Sequence, residues 1–156
     1  NPDVEVSAIP ERLSGEELGR LVRSVDVVVD CSDNFATRYA VNEASLEHGK
    51  PLVSAAAIRM EGQLAVFDPR QAQAPCYACL YPPTKERIDQ GGERCADSGV
   101  LGPVVGMMGS WQALEVIKLI ADRDYTAGGT LWLWDAQYLE MRRLNLKRDP
   151  SCSLHG

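Results

Sequence analysis

Residues 25–34 read VDVVVDCSDN, and this stretch determines the fold class. Residues 25–30 form a continuous run rich in β-branched side chains, which predicts a strand buried on both faces. Asp33 and Asn34 end the strand, and a helical pattern follows over residues 36–47. A buried strand, a helix and a further apolar run are typical of a parallel β-α-β unit.

The remaining segments continue the alternation of strands and helices. We predict strands at 4–9, 52–57, 63–67, 130–134 and 139–146, a helix from Ser14 to about Val22, and a longer helix from Pro103 to about Ala121. On the longer helix, the residues expected to face the core are Met107, Trp111, Leu114, Ile117 and Leu119. The predicted fold class is therefore α/β: a Rossmann-like mixed sheet with helices on both faces, in a single domain over residues 1–156. The connection over 70–102 is rich in Pro, Gly and charge, and a connection of that length is usually functional or disordered.

Composition and charge exclude several classes of protein. Of the 156 residues, 45% are hydrophobic and 24% are charged, which is typical of one globular domain. The net charge of −6 argues against nucleic acid as a partner, because phosphate contacts need concentrated positive charge. The longest apolar runs fall short of the roughly 18 residues of a membrane-spanning helix, so we expect no membrane contact. Five cysteines without a secretory signal fit a reducing compartment, and we expect a cytoplasmic protein.

Four residues are spaced like the two halves of a zinc site. Cys76 and Cys79 form a C-x-x-C pair, and Cys152 and His155 form a C-x-x-H pair in the tail over 147–156. Three thiolates and one imidazole can close a tetrahedral zinc site. The alternative for the first pair is a redox dithiol, although prolines on both sides indicate a loop rather than a helix start. The alternative for the second pair is a floppy polar tail.

The other two cysteines differ in their surroundings. Cys31 lies in the apolar strand region and is expected to be a small buried hydrophobic residue. Cys95 lies in a polar loop next to Arg94, and a neighbouring cation favours the nucleophilic thiolate. Cys95 is therefore either a covalent catalyst or an unreactive loop thiol, and the residues alone favour neither.

The turn at residues 30–34 combines two carboxylates with an amide. It follows the carboxyl end of the predicted parallel strand, where open α/β sheets bind ligands. A carboxylate there can hold a magnesium ion that bridges phosphates, and Asn34 can hydrogen-bond a ribose or a phosphate. An ordinary β-α turn is the alternative, because Asp and Asn are favoured in such turns.

Taken together, the ordered motifs resemble those of the ThiF/MoeB/HesA family of ubiquitin-activating-enzyme-like adenylyltransferases. The matching segments cover essentially the whole chain: residues 26–34 with Arg38 and Asn42, 51–55, 62–64, 76–80, 95–103, 109–118 and the terminal Cys152 knuckle. The resemblance implies that the protein uses ATP and Mg²⁺ to form an acyl-adenylate on the C-terminal Gly-Gly of a ubiquitin-like sulfur-carrier protein, with release of pyrophosphate. The adenylate is then converted to a thiocarboxylate for thiamine, molybdopterin or related biosynthesis.

The resemblance also implies residue roles and partners. Asp33 matches the family's catalytic carboxylate, which binds magnesium and nucleotide, and Asn34 stands beside it. Cys95 matches a loop cysteine that forms a covalent link to the carrier or a persulfide in some members and is dispensable in others. Members are usually cytoplasmic homodimers with zinc bound by two C-x-x-C pairs, and a sulfurtransferase partner is expected. In this chain His155 stands in place of the last of those cysteines.

One departure from the family pattern concerns the nucleotide loop. The chain contains no G-x-G-x-x-G, and it begins at Asn1. In the family, the Gly-rich loop and its Arg and Lys phosphate ligands precede the matching segment. We therefore expect the C-terminal part of an adenylation domain, inactive by itself. A non-catalytic, zinc-stabilised module that docks a ubiquitin-like partner is the alternative, and the missing fingerprint disfavours a dinucleotide-dependent oxidoreductase.

Overall fold

The computed structural model describes residues 1–90, 98–122, 125 and 128–155. The helices are α1 (Gly15–Ser24), α2 (Phe35–Glu47), α3 (Tyr77–Leu80), α4 (Lys85–Gln90) and α5 (Gly102–Ala121). The strands are β1 (Val28–Asp30), β2 (Leu52–Ile58), β3 (Glu61–Phe67), β4 (Thr130–Asp135) and β5 (Glu140–Asn145). Strands and helices therefore alternate in the first half of the chain, and a hairpin follows the longest helix.

The five strands form one mixed sheet in the order β1-β2-β3-β4-β5. β1 and β2 are parallel, with Val28 opposite Leu52, because α2 carries the chain back to the starting edge of the sheet. The remaining pairs are antiparallel. The carboxyl ends of β1, β2 and β4 and the start of β3 consequently meet at one edge of the sheet.

Helices cover both faces of this sheet, as predicted. Side chains alternate along a strand, so neighbouring residues of β2 face opposite layers. Leu52 packs in a cluster with Phe35 and Tyr39 of α2. Val53 packs in a second cluster with Leu119 of α5. The α/β fold class with a mixed, Rossmann-like sheet is thus confirmed.

The predicted first strand, at 4–9, is wrong. Residues 1–13 contain neither helix nor strand, and Val6 is 83% exposed. Alternating apolar side chains form a strand only where another strand offers hydrogen bonds, and no strand in the described part of the chain pairs with this segment. β1 is also shorter than predicted, and the exposed side chain of Val29 shows that it is not buried on both faces.

The predicted core face of α5 is wrong in part. Met107, Leu114 and Ile117 point outward and are exposed, whereas Leu119 is buried as expected and Trp111 is partly buried. The inner face also carries the polar side chains of Gln112 and Glu115, each under 5% exposed. Both faces of α5 are rich in apolar residues. The prediction considered only apolar residues and therefore assigned some outward-facing side chains to the core.

By length and hydropathy alone, α5 is the one helix among the described residues that could cross a membrane. The length of the apolar runs therefore does not exclude a membrane-spanning role for this helix. α5 contacts β2 and β3, and its inner face holds Gln112 and Glu115 against the sheet. Those contacts are typical of the core helix of a globular domain.

The long connection at 70–102 contains more regular structure than predicted. α3 and α4 lie within it, and a single β-bridge joins Val100 to Arg59. α3 is one helical turn that begins after Cys76. The C-x-x-C pair therefore lies on a short helix, where its two thiols are held on one side.

Candidate functional site

A cavity of about 780 Å³ opens at the edge of the sheet where the carboxyl ends of β1 and β2 meet. The turn after β1 forms one wall, and the end of β2 forms the floor. The other walls include Met108 and Gln112 of α5 and Trp134 of β4. Gly62 stands where a Cβ atom would overlap Met108 Sδ, so the absence of a side chain there makes room for the side chain of Met108. The sequence-predicted acidic turn thus borders a ligand-sized cavity.

Asp30, the first carboxylate of the acidic turn, is fully engaged in holding that turn. Its Oδ1 accepts hydrogen bonds from Ser32 N at 2.9 Å and Ser32 Oγ at 2.6 Å. Its Oδ2 accepts a hydrogen bond from Ser54 Oγ at 3.0 Å. With 4% exposure, Asp30 has a structural role at the junction of β1 and β2.

Arg38 of α2 provides the counter-charge to Asp30. Its Nη1 lies 3.6 Å from Asp30 Oδ2. Its Nη2 donates to the carbonyl of Ala55 at 3.1 Å and to the carbonyl of Ser32. A buried ion pair is stable only when further hydrogen bonds satisfy the guanidinium, and both carbonyls do so here. Arg38 therefore ties α2 to the acidic turn and to the middle of β2.

Asp33, the second carboxylate, has different surroundings. It is exposed and lines the cavity. The structure records no hydrogen bond or ion pair between Asp33 and the described residues. Asn34 caps α2, because its Oδ1 accepts a hydrogen bond from Thr37 N at 2.8 Å. Asp33 is thus the carboxylate of this turn that is available to a ligand, and binding roles for both residues stay predictions.

Gln112 was not identified from the sequence, although it organises the same wall. Its Nε2 donates to the carbonyls of Asp30 at 2.9 Å and Val53 at 3.1 Å, which joins α5 to β1 and β2. Its Oε1 accepts a hydrogen bond from Cys31 Sγ at 3.3 Å. Cys31 is exposed, which contradicts its predicted burial, because β1 ends one residue earlier. The only signal in the sequence is a polar residue four positions after Met108 on one helix face.

The four predicted metal ligands come together at a second place. The ligand atoms of Cys76, Cys79, Cys152 and His155 all lie within 4.8 Å of one another. Cys76 Sγ lies 3.8 Å from both Cys79 Sγ and Cys152 Sγ. Tetrahedral zinc with bonds of about 2.3 Å places its sulfur ligands about 3.8 Å apart. The prediction that these residues form one cluster is confirmed, and we call them the Cys/His cluster.

The electrostatics of the Cys/His cluster fit a cation. Nε2 of His155 is buried and has no hydrogen-bond partner among the described residues. Burial lowers the pKa of His155, with a further contribution from Arg148, and so favours the neutral imidazole that binds metals. Burial also raises the pKa of Cys76 to about 12, and the neighbouring thiols add to the effect. A bound divalent cation would reverse that preference by stabilising the thiolates.

The tail that carries two of these ligands is anchored to the rest of the chain. Arg148 donates from Nη1 to the carbonyl of Ala72 at 3.0 Å and from Nη2 to the carbonyl of His155 at 3.1 Å. These hydrogen bonds contradict the alternative that the tail, up to residue 155, is flexible and makes no contacts with the rest of the chain. Cys95, the predicted loop nucleophile, lies outside the described residues.

Comparisons with solved structures identify the class of fold. The chain is similar to the crystal structure of Escherichia coli MccB with succinimide, with a TM-score of 0.76 and 19% identity over 100% of this chain and 47% of that one. A crystal structure of MccB with ATP matches with a TM-score of 0.68 and 20% identity over 92% of this chain and 44% of that one. At such identities the likeness shows the fold, which is the ubiquitin-activating-enzyme-like adenylation fold.

The sequence comparisons then give the family. The model of the ThiF family matches residues 1–154, and the chain belongs to that family. It is 42% identical to the sulfur carrier protein ThiS adenylyltransferase of Escherichia coli K12 over 100% of this chain and 60% of the relative. It is 43% identical to mouse adenylyltransferase and sulfurtransferase MOCS3 over 100% of this chain and 33% of the relative. The chain thus spans about three fifths of one relative and a third of the other, and the resemblance seen in the motifs is confirmed.

Proposed function

We propose that this chain forms part of an ATP-dependent adenylyltransferase that activates the C-terminal Gly-Gly of a ubiquitin-like sulfur-carrier protein. The observation that carries the proposal is the position of Asp33, exposed in a cavity of about 780 Å³ at the carboxyl end of a parallel strand. Relatives named as adenylyltransferases for the sulfur carrier ThiS and for molybdopterin synthase support the substrate class. Thiamine and molybdopterin biosynthesis are accordingly the two candidate pathways.

The acidic turn suits the charge that this reaction handles. Asp33 would hold Mg²⁺, which neutralises the negative charge of departing pyrophosphate. The Asp30–Arg38 pair keeps the turn in one conformation, so Asp33 needs little rearrangement to bind a cation. The N-terminus of α2, capped by Asn34, faces the same cavity, and its partial positive charge favours phosphate oxygens.

A later step would transfer sulfur to the activated carrier. We propose Cys95 as the nucleophile: its thiolate would attack the acyl carbonyl and release AMP, leaving the carrier bound through a thioester. A sulfurtransferase would supply the sulfur, and the MOCS3 relatives carry that activity in their names. Such chemistry needs ATP and reduced thiols, and we place the protein in the cytoplasm.

A homodimer is the proposed assembly, and the outer face of α5 is its proposed contact. Leu114, Ile117 and Ile120 lie on that face, each more than half exposed. A contiguous apolar surface of this kind commonly marks a protein interface. The Ile117→Asp variant should convert a dimer to a monomer in light scattering with its fold unchanged. Leu139→Asp, an exposed residue of the β4–β5 turn, is the matched control. A dimer that survives Ile117→Asp would exclude this face.

The direct test incubates full-length protein with ATP, Mg²⁺ and candidate carriers, and follows the carrier by mass spectrometry. The expected result is an AMP adduct that requires the carrier's terminal Gly-Gly, with a carrier truncated by those two residues as control. Carrier binding without any adduct, measured by calorimetry, would favour the non-catalytic docking module instead.

A further inference from the structure

Tyr77 lines the cavity and is next to the Cys/His cluster in the chain. In the chain it stands between two members of the Cys/His cluster, with Cys76 before it and Cys79 in the same helical turn, α3. Its side chain is 3% exposed and forms part of the cavity wall. One short helix therefore carries a metal ligand and a wall of the ligand cavity.

The ring of Tyr77 packs against the arginine that holds the acidic turn. Arg38 Cζ lies 5.9 Å from the centroid of the Tyr77 ring, within the range of a cation–π contact. Arg38 in turn donates to the carbonyl of Ser32 and pairs with Asp30. A shift of the ring would therefore move the group that fixes the acidic turn.

Further contacts leave Tyr77 little freedom to move independently of α3. Its N–H donates to Asn42 Oδ1 of α2 at 2.9 Å. The rings of Phe67 and Tyr81 pack around it with centroids 6.0 Å and 5.1 Å away. In a packed core, displacement of one side chain is passed to its neighbours rather than absorbed.

We propose that Tyr77 is a positioning residue that couples metal binding at the Cys/His cluster to the conformation of the acidic turn. A bound metal fixes Cys76 and Cys79 and so fixes the residue next to them. Without metal, α3 can shift, the contact between Tyr77 and Arg38 weakens, and the turn that carries Asp33 loosens. The inference goes beyond the proposed adenylation, because it concerns the conformation of this chain whether or not the cavity performs that reaction.

Hydrogen exchange measured by mass spectrometry tests the coupling in the chain itself. The reporting amides are Ser32 N–H and Thr37 N–H, which donate to Asp30 and Asn34. Removing zinc with a chelator should speed their exchange about tenfold, a usual size for coupling between two sites. Residues 115–121 of α5, on the opposite face of the sheet, are the internal reference and should not change.

Variants of Tyr77 then distinguish a specific effect on the acidic turn from a general loss of stability. Zinc-loaded Tyr77→Leu retains all four ligands and should keep its zinc, yet show the fast exchange of the chelated wild type. Tyr77→Phe keeps the ring and should restore protection. The matched control is Val66→Ala, which removes buried packing on the opposite face of the sheet, away from Tyr77, and should leave the turn protected.

Three results would overturn the proposal: no change in the turn on chelation, an equal rise across the whole chain, or a protected turn in zinc-loaded Tyr77→Leu. If Tyr77→Leu does not fold, Arg38→Lys tests the same contact through its other residue, Arg38. That variant keeps a cation near Asp30 but loses the guanidinium over the ring, so chelation should no longer change exchange in the turn. A chelation response as large as that of the wild type would contradict the coupling.

Discussion

Arg38 Nη1 lies 3.6 Å from Asp30 Oδ2, and the two side chains are only 8% and 2% exposed. This pair joins α2 to the end of β1 beneath the candidate site. Loss of one partner has a larger effect on stability here than in a surface ion pair, because the remaining charge is buried and cannot be solvated by water.

Replacing Arg38 by Met should therefore destabilise the fold strongly. Removing one partner of a buried pair leaves an uncompensated charge and costs roughly 3–5 kcal/mol. The free energy of unfolding, measured in urea, checks this. Arg142→Met is the matched control, because the Arg142–Glu140 pair is exposed on both sides and should contribute less than about 1 kcal/mol. Similar small effects for both variants would contradict the structural role of Arg38.

Asp68 should make stability depend on pH in the acidic range. Its carboxylate is 2% exposed, and Arg70 donates to it at 2.8 Å and 2.7 Å. Burial alone would raise the pKa of Asp68, but the hydrogen bonds and charge of Arg70 outweigh it and hold the pKa below the ordinary 3.8. A carboxyl group whose pKa is lowered by folding stabilises the fold above its unfolded pKa, and this contribution is lost as pH falls through the folded pKa.

The measurement is the urea midpoint of wild type and Asp68→Asn between about pH 6 and about pH 2. The wild type should be more stable at the upper end, and the difference should shrink once the pH falls below the ordinary pKa of Asp68. Arg70→Gln should remove most of the pH-dependent difference. A gap between wild type and Asp68→Asn that is constant over the whole range would show that Asp68 is not the group responsible.

The Cys/His cluster should bind one zinc per chain. Metal analysis of the purified chain should find that stoichiometry, and Cys152→Ser should fall well below it. Loss of the metal should cost several kcal/mol of stability, since structural zinc in small domains binds with an apparent free energy of about 10–16 kcal/mol. Cys31→Ser removes a thiol outside the cluster and should keep both the zinc and the stability. Zinc unchanged in Cys152→Ser would exclude the tail from the site.

The sequence predicts a helix or strand correctly where the folded chain also supplies a packing partner for that element. The apolar runs of β2 and β3 and the helical pattern of α2 correspond to elements of nearly the expected length. Residues 4–9 have the same alternation as a strand but no described partner strand, and a local pattern does not contain that information. The inner face of α5 is missed because two polar residues are buried there: Gln112 donates to backbone carbonyls of β1 and β2, and Glu115 accepts hydrogen bonds from Lys118 and Tyr125.

The candidate site was predictable to the same limited extent. Cys76 and Cys79 could be identified because a spacing of two residues brings two thiols onto one turn of the chain, although the expected loop is a short helix. The acidic turn could be placed because ligands bind beyond the carboxyl ends of parallel strands. The different roles of Asp30 and Asp33 could not be predicted, because the carboxylate of Asp30 is engaged by Arg38 and by Ser54, and Ser54 lies 24 positions away in the chain.

ATP–pyrophosphate exchange by full-length Asp33→Asn protein, with its carrier present, tests whether Asp33 acts in adenylation. Exchange should fall roughly 100-fold or more, the usual cost of removing a preorganised electrostatic group. The urea midpoint should stay near that of the wild type, because Asp33 is exposed. Asp26→Asn, an exposed carboxylate that does not line the cavity, should retain wild-type exchange. Wild-type exchange in Asp33→Asn, or an equal loss in Asp26→Asn, would contradict the assignment of Asp33 to the adenylation site.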